Sequence, residues 1–189
     1  MCGRYYVKEN MWDEVNVQFS GIQVTGDKAM DITPGMTAAA ITEGINLQNL
    51  KWGFDGFDGK LLINARAEGI EAKRTFADSI MDRRCVLPAS GFYEWDNDKN
   101  KVTFTLPDEP VMYLAGIYKD GRFVIITREA NASMIKVHDR MPLIIGKCDV
   151  EEWVNDRSAI KRFLIQTQPE LCSDREYEQL SFFEKYLKN

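Results

Sequence analysis

The second residue of the chain could carry covalent chemistry. Removal of the initiator Met1, which a small second residue permits, would leave Cys2 with a free α-amine beside its thiol. An α-amine has a pKa of about 7.7 to 8, against about 10.4 for lysine, so part of it is unprotonated and nucleophilic near neutral pH. Attack on an aldehyde gives a Schiff base, and the thiol can then close a five-membered thiazolidine ring intramolecularly. Cys2 is therefore a candidate nucleophile, although its position alone is a weak signal.

A second candidate segment is residues 63–68, where a β-rich run ends in amide, guanidinium and carboxylate side chains. Arg66 could form a forked pair with a phosphate, and Asn64 could orient a polar adduct. Taken by itself, the segment also fits a strand end with a solvated ion pair.

Two further segments hold groups suited to proton transfer or stacking. Residues 84–95 place Glu94 between two aromatic residues, and a carboxylate in that setting suits acid–base work. Trp95 could stack on an exposed base. Residues 137–142 contain His138, the only histidine of the chain, and histidine transfers protons near neutral pH. Singly, Glu94 also fits a solvent-facing strand residue and His138 a structural one.

Taken together and in order, these segments resemble the SRAP family of abasic-site-processing proteins. The matching segments, running from residue 2 to about residue 145, are Met-Cys-Gly-Arg, Asn-Ala-Arg-Ala-Glu, Arg-Arg-Cys-x-x-Pro-Ala-x-Gly-Phe-Tyr-Glu-Trp, Ala-Gly-Ile-Tyr, Ile-Ile-Thr-x-x-Ala-Asn and His-Asp-Arg-Met-Pro. The resemblance implies an α+β fold with a β-rich core. It also implies that the protein shields abasic sites in single-stranded DNA through a thiazolidine crosslink to the mature N-terminal cysteine.

The resemblance further implies roles for individual residues. Cys2 would be the nucleophile, Asn64 would hold the adduct, Glu94 would assist Schiff-base formation, and His138 would help open the sugar and assist reversal or strand cleavage. The residues implied to contact DNA are Arg4, Arg66, Arg74, Trp95 and Thr127. Weak abasic-site lyase activity, crosslink reversal and autoproteolytic removal of Met1 are implied as secondary activities.

Three other functions stay open on the sequence. Glutamine amidotransferases of the N-terminal nucleophile class also begin with Met-Cys-Gly, although the Phe-Tyr-Glu-Trp and His-Asp-Arg-Met-Pro segments favour the SRAP reading. A thiol hydrolase using Cys2 and His138 is a weaker alternative. The third is a noncatalytic single-stranded DNA-binding module in which Cys2 is merely structural.

The bulk composition limits the function classes. The chain has 189 residues, of which 44% are hydrophobic and 28% are charged, as in one globular domain. A net charge of -5 argues against nonspecific coating of nucleic acid but allows a local basic groove. No apolar run approaches the roughly 18 residues of a membrane helix, so we expect a soluble, cytoplasmic protein that binds no membrane. The resemblance implies abasic single-stranded DNA as the partner, and we expect a monomer because a crosslinker that acts in cis needs no second subunit.

The cysteine and histidine positions argue against a metal site. The four cysteines lie far apart without a Cys-x-x-Cys pair, and a single histidine cannot complete a set of zinc ligands with them. We therefore expect no metal and no cofactor.

The elements that must position these residues are mostly strands. We predict a single α+β domain over residues 1–189, with a mainly antiparallel, barrel-like β-core, peripheral helices and a helical extension over about 150–189. Residues 119–122 fit a hairpin turn. The predicted strands are 4–7, 22–24, 38–42, 61–65, 86–95, 102–106, 111–118, 123–127 and 143–145. The predicted helices are 11–19, 70–84, 150–155, 159–164 and 174–187.

Overall fold

The computed structural model of the chain describes residues 2–21, 29–57 and 59–176. Its α-helices in these ranges are α1 (Met11–Gln18), α2 (Ala77–Asp82), α3 (Val150–Asn155) and α4 (Ile160–Ile165). Its strands there are β1 (Tyr5–Val7), β2 (Met30–Ile32), β3 (Thr37–Thr42), β4 (Asn46–Trp52), β5 (Phe54–Asp55), β6 (Leu61–Leu62), β7 (Asn64–Arg66), β8 (Arg84–Ala89), β9 (Gly91–Trp95), β10 (Lys101–Thr105), β11 (Met112–Lys119), β12 (Arg122–Glu129), β13 (Arg140–Pro142), β14 (Ile144–Ile145) and β15 (Cys172–Glu176). The predicted α+β class with mainly antiparallel pairing is confirmed, while the strand expected at 22–24 lies outside the described residues.

Five strands close into a barrel, because β12 pairs with β4, β4 with β3, β3 with β8, β8 with β11, and β11 again with β12. β4 and β7 pair with β12 in parallel, and the other pairings of this sheet are antiparallel. β11 and β12 form the predicted hairpin and then separate. Leu143 bridges the gap, since its N–H donates to the Ile126 carbonyl and its carbonyl accepts from the Ala115 N–H, both at 2.8 Å. The closed ring agrees with the expected barrel-like core.

A second antiparallel sheet has the strand order β15-β10-β9-β1-β2. β8 of the barrel runs directly into β9 of this sheet at Ser90. The Ser90 N–H donates to the Tyr6 carbonyl at 2.8 Å, and its hydroxyl oxygen accepts the Lys8 N–H at 3.0 Å. These bonds align β1 with β9, so the chain terminus and the segment that carries Glu94 lie on neighbouring strands.

The helices are held to the barrel by a buried arginine. Arg84 is only 2% exposed, and its guanidinium donates to the carbonyls of Ile80 (3.0 Å), Met81 and Trp153 (2.6 Å). These carbonyls lie in the last turns of α2 and α3, where backbone acceptors lack helical partners and a cation is favourable. The side chain therefore anchors both helices on β8.

One helix prediction is wrong in its extent. Residues 70–84 form a 3-10 turn (Ile70–Ala72) followed by α2, instead of one continuous helix. Lys73 between them has an extended backbone, with φ -86° and ψ 111°, which interrupts the helical hydrogen bonds. The helices predicted at 11–19, 150–155 and 159–164 are confirmed as α1, α3 and α4.

Three other predictions are wrong because sheet pairing overrides local sequence pattern. Residues 86–95 form β8 and β9 in different sheets, not one strand, and residues 61–65 are likewise divided between β6 and β7. Residues 172–176, which were expected to belong to the helical extension, form β15. This strand pairs with β10 and supplies hydrogen-bond partners for the backbone groups along its edge. The rest of the helix predicted at 174–187 lies outside the described residues, and the single-domain organisation stays a prediction.

Candidate active site

Cys2 lies three residues before the start of β1 and is fully buried. Its carbonyl oxygen accepts a hydrogen bond from Asn64 Nδ2 at 3.0 Å, which joins the second sheet to β7. Burial raises the pKa of the Cys2 thiol well above its ordinary value, and the negative charge of Glu94 raises it further. The Arg4 N–H offsets this only partly by hydrogen bonding to the sulfur. The thiol therefore keeps its proton at neutral pH.

Asn64 is positioned by the parallel pairing of β7 with β12, in which it lies opposite Ile125. Its Nδ2 is committed to the Cys2 carbonyl. Its Oδ1 is buried and has no hydrogen-bond partner within the described ranges. A buried carbonyl without a donor costs free energy, so this oxygen is suited to accept a hydrogen bond from a bound group.

Glu94 is brought to Cys2 by the pairing of β1 with β9. Tyr5 lies opposite Phe92, and the Tyr93 N–H donates to the Arg4 carbonyl at 3.0 Å. Continuing this antiparallel alignment places Glu94 beside the residue that follows Cys2. The Glu94 side chain is only 5% exposed, and its charge acts on the Cys2 thiol. The structure thus brings Glu94 close to Cys2.

His138 lies two residues before β13, and its side chain is 27% exposed. Its Nδ1 accepts the Arg140 N–H at 2.9 Å and also lies 2.9 Å from Asp139 Oδ1. An acceptor Nδ1 leaves the proton of a neutral imidazole on Nε2. The imidazole is therefore held in place by contacts with the two residues that follow it.

Glu68 and Arg140 connect the His138 segment to the Asn64 segment. The Arg140 guanidinium donates from Nη1 to Glu68 Oε1 at 3.0 Å and from Nη2 to Glu68 Oε2 at 2.7 Å. Nη2 also donates to the Thr127 carbonyl at 2.7 Å. Such a bidentate ion pair fixes the relative orientation of the two side chains as well as the distance between them. It therefore sets the position of β13, and with it His138, relative to β7.

The residues expected to contact DNA fall into three places. The Arg4 guanidinium lies 5.4 Å from the centre of the Trp95 ring, beside Cys2. Arg66 is exposed and pairs with Thr127, whose side chain is fully buried. Arg74 is exposed between the 3-10 turn and α2, on neither of these sheets. The structure thus places Arg4 and Trp95 beside Cys2. It places Arg66 on β7 with Asn64, and Thr127 on the neighbouring strand β12.

Comparison with known proteins identifies the family. Residues 1–181 match the SOS response associated peptidase (SRAP) family. The chain belongs to the SRAP family. Over 190 residues it is 31% identical to the abasic site processing protein YoaM of Bacillus subtilis, covering 87% of the chain and 83% of that protein. It is 29% identical over 216 residues to YoqW of the same organism, also named an abasic site processing protein, covering 100% of the chain and 96% of that protein.

Solved structures agree with the SRAP fold. A protein of Bacteroides thetaiotaomicron has a TM-score of 0.78 at 23% identity, covering 94% of this chain and 93% of that one. A phage-related protein of Bordetella bronchiseptica has a TM-score of 0.78 at 24% identity, covering 94% and 95%. The resemblance inferred from the six motifs is confirmed by the match to the family.

Two features are absent from the described residues of this SRAP protein. In those ranges no group of three or more His, Cys, Asp or Glu side chains is placed to hold a metal ion. No helix in the same part of the chain is both long enough and apolar enough to cross a membrane.

Sequence reasoning missed two residues of the SRAP site. The Tyr5 hydroxyl is buried without a hydrogen-bond partner among the described residues. Its pKa is raised well above the ordinary value, mainly by burial and to a smaller extent by the nearby thiols of Cys2 and Cys85. In sequence Tyr5 is simply an aromatic residue of an apolar strand, so no signal marks it. Glu68 could have been found, because it closes the polar segment that begins at Asn64.

The Glu68–Arg140 pair predicts a specific acid sensitivity. Burial by itself would raise the pKa of Glu68, but hydrogen bonds and charge from Arg140, together with the Glu129 N–H, lower it from 4.5 to about 2. A lowered pKa stabilises the folded protein above pH 4.5, and this stabilisation is lost as the pH falls towards 2. Because Glu68 is half-exposed, we expect a modest effect.

Urea unfolding at a series of pH values tests this. Between pH 4.5 and pH 2 the free energy of unfolding should fall more steeply for the wild type than for Glu68→Gln, which cannot titrate. Glu129→Gln, which changes an exposed carboxylate of the neighbouring strand, is the matched control. Parallel curves for the wild type and Glu68→Gln would contradict the assignment.

Proposed function

We propose that this SRAP protein captures abasic sites in single-stranded DNA as thiazolidine crosslinks through a mature N-terminal Cys2. The observation that carries the proposal is the hydrogen bond from Asn64 Nδ2 to the Cys2 carbonyl, which holds the chain terminus next to Glu94. The relatives named abasic site processing proteins support the same substrate. An abasic site in its open form offers an aldehyde, and its missing base leaves room for a chain terminus.

The reaction follows from the groups present. The Cys2 amine attacks the aldehyde carbon, and the resulting carbinolamine loses water with a proton from Glu94. The thiol sulfur then adds to the carbon of the resulting iminium, and the thiol proton passes to the Glu94 carboxylate, which restores its acid form. One amine, one thiol and one aldehyde thus give one thiazolidine and one water, and hydrolysis reverses the sequence.

The raised pKa of the Cys2 thiol fits this order of steps. Because the reactive form of a thiol is the thiolate, a buried and protonated thiol does not compete with the amine for the aldehyde. It becomes a nucleophile only when a neighbouring base accepts its proton, and the Glu94 carboxylate is the group whose charge already acts on it. Glu94 would therefore serve both as the acid of dehydration and as the base of ring closure.

The remaining residues have supporting roles in the proposal. Asn64 Oδ1 accepts a hydrogen bond from a sugar hydroxyl of the adduct, and His138 helps open the sugar and assists reversal or strand cleavage. The three arginines Arg4, Arg66 and Arg74 bind phosphates, while Trp95 and Thr127 line the DNA site. The protein acts as a monomer without a cofactor, with lyase activity and autoproteolytic Met1 removal as secondary activities.

A denaturing gel tests the covalent step. The purified protein, whose N-terminal mass has been shown to lack Met1, should form a denaturation-resistant adduct with an abasic single strand and none with the intact strand. A protein in which an added N-terminal residue blocks the removal of Met1 should form no adduct, because Cys2 then has no free amine. An adduct from the blocked protein would rule out the aminothiol mechanism.

The other functions compatible with the Met-Cys-Gly start give different results in the same samples. A glutamine amidotransferase would release ammonia from glutamine and form no DNA adduct. A noncatalytic binding module would bind intact and abasic strands equally and reversibly. Either result, obtained with the mature protein, would replace the proposed function.

A further inference from the structure

Aromatic rings with cations placed over them continue from Trp95 across one face of the second sheet. The Arg4 guanidinium lies 5.4 Å from the Trp95 ring centre, Lys101 Nζ lies 4.0 Å from that of Tyr93, and Lys8 Nζ lies 5.7 Å from that of Tyr6. The rings of Tyr6 and Tyr93 stack with centres 5.0 Å apart at 23°. We call these six residues the outer row: Arg4, Tyr6, Lys8, Tyr93, Trp95 and Lys101.

The strand alternation places the outer row on the face away from the core. The residues between its members, Tyr5, Val7 and Glu94, are buried, as is Val102 beside Lys101 on β10. Gly91 makes room for the row, since a Cβ at this position would lie 2.7 Å from the Tyr6 hydroxyl oxygen. The Tyr6 ring therefore lies across the bare backbone of β9, next to Tyr93.

The charge of the outer row is opposite to that of the whole chain. Beside its three cations, Asp31 accepts a hydrogen bond from the Tyr93 hydroxyl at 3.3 Å and lies 3.8 Å from Arg4. On the other side, Asp174 and Glu176 of β15 lie opposite Thr103 and Lys101 of β10. An anionic polymer is thus favoured along β9 and β1 and disfavoured towards β15.

We propose that the outer row binds the nucleotides that flank the abasic site on a single strand, with phosphates on Lys8 and Lys101 and a base in the depression beside Tyr6 and Tyr93. This inference rests on the proposed function, because the row begins at Arg4 and Trp95 beside Cys2. An open depression of about 420 Å³ lined by Tyr6, Tyr93 and Thr103 leaves space for a base. Aromatic rings combined with cations are the usual platform for single strands.

The spacing of the row favours a single strand over a duplex. Same-face residues on a strand, such as Tyr93 and Trp95, are about 6.8 Å apart. Phosphates of one strand in B-form DNA advance only about 3.4 Å each along the helix axis. An extended strand with unstacked bases matches the longer step, and such a strand leaves its bases free to stack on protein.

Reversible binding measured by fluorescence anisotropy tests the outer row. The ligands are single strands carrying a tetrahydrofuran abasic analogue, which has no aldehyde, with either four nucleotides or none on each side. The Lys8→Ala/Lys101→Ala double variant should bind the flanked strand at least about fivefold more weakly, and its slope of log affinity against log salt should be shallower by about 1.4, from two contacts of about 0.7 each. Its affinity for the unflanked ligand should equal that of the wild type.

Control variants separate stacking from folding. Tyr93→Leu should weaken binding of the flanked strand about fivefold or more, whereas Tyr93→Phe, which keeps the ring, should not. Lys161→Ala removes an exposed lysine of α4 and should change neither the affinity nor the salt slope. Should Tyr93→Leu fail to fold, the lysine variants still decide, since Lys8 is exposed and Lys101 is only partly buried.

The outcomes distinguish this inference from the proposed function. A double variant with the wild-type affinity and salt slope on the flanked strand would overturn the outer row as a DNA surface. At saturating protein, the double variant should still crosslink a true abasic strand as completely as the wild type. Wild-type protein that binds flanked strands through these lysines but never crosslinks would refute the crosslink alone.

Discussion

Cys2→Ala is expected to abolish the denaturation-resistant adduct with abasic single-stranded DNA, a loss of at least about 100-fold in adduct yield. The alanine variant keeps a free N-terminal amine after Met1 removal, so it can still form a Schiff base. It has no sulfur to close the ring, and the favourable intramolecular step that prevents hydrolysis is lost. Denaturing gels of wild type and variant, at equal protein and DNA concentrations, measure the difference.

The chemistry of this variant can be separated from damage to the fold. Reduction with borohydride during the reaction should trap a Schiff-base adduct of Cys2→Ala, although no adduct survives without the reductant. Cys148→Ala removes an exposed thiol elsewhere and should crosslink like the wild type. If Cys2→Ala formed a stable adduct without reductant, the thiazolidine would be excluded and another nucleophile would have to be found.

The grouping of site residues was predictable because it depends on short motifs, while their contacts depend on sheet pairing. Glu94 could be recognised in Phe-Tyr-Glu-Trp, but only the alignment of β1 with β9 brings it to Cys2. In the same way, Asn64 reaches the Cys2 carbonyl because β7 pairs in parallel with β12. Pairings between residues more than 60 positions apart leave no periodic signal in a single sequence.

The missed strands show the same limit. β4 was not predicted because most of its side chains are polar and exposed. Only Leu50 and Trp52 of this strand are buried. β15 carries charged residues in a pattern that suits a helix, yet the open edge of β10 supplies hydrogen bonds that outweigh this preference. The break at Ser90 was not predicted, since it depends on hydrogen bonds to β1 and to Lys8, which lie far from it in sequence.

Replacing Glu94 with glutamine is expected to slow crosslink formation about 100-fold, the lower end of what general acid–base catalysis contributes. Glutamine preserves the size of the side chain in a position that is only 5% exposed, so the packing of β9 is retained. It can neither donate the proton that removes water nor accept the thiol proton in ring closure. Rates of adduct formation under single-turnover conditions measure the loss, with Glu129→Gln as the exposed carboxylate control.

A purely structural role for Glu94 would have a different signature. Loss of structure would weaken reversible binding of the tetrahydrofuran strand and lower the melting temperature together with the rate. Loss of proton transfer should leave both at the wild-type level while only the rate of the covalent steps falls, because binding precedes those steps. A Glu94→Gln variant that crosslinks at the wild-type rate would remove Glu94 from the mechanism and leave the Cys2 amine to react without a side-chain acid.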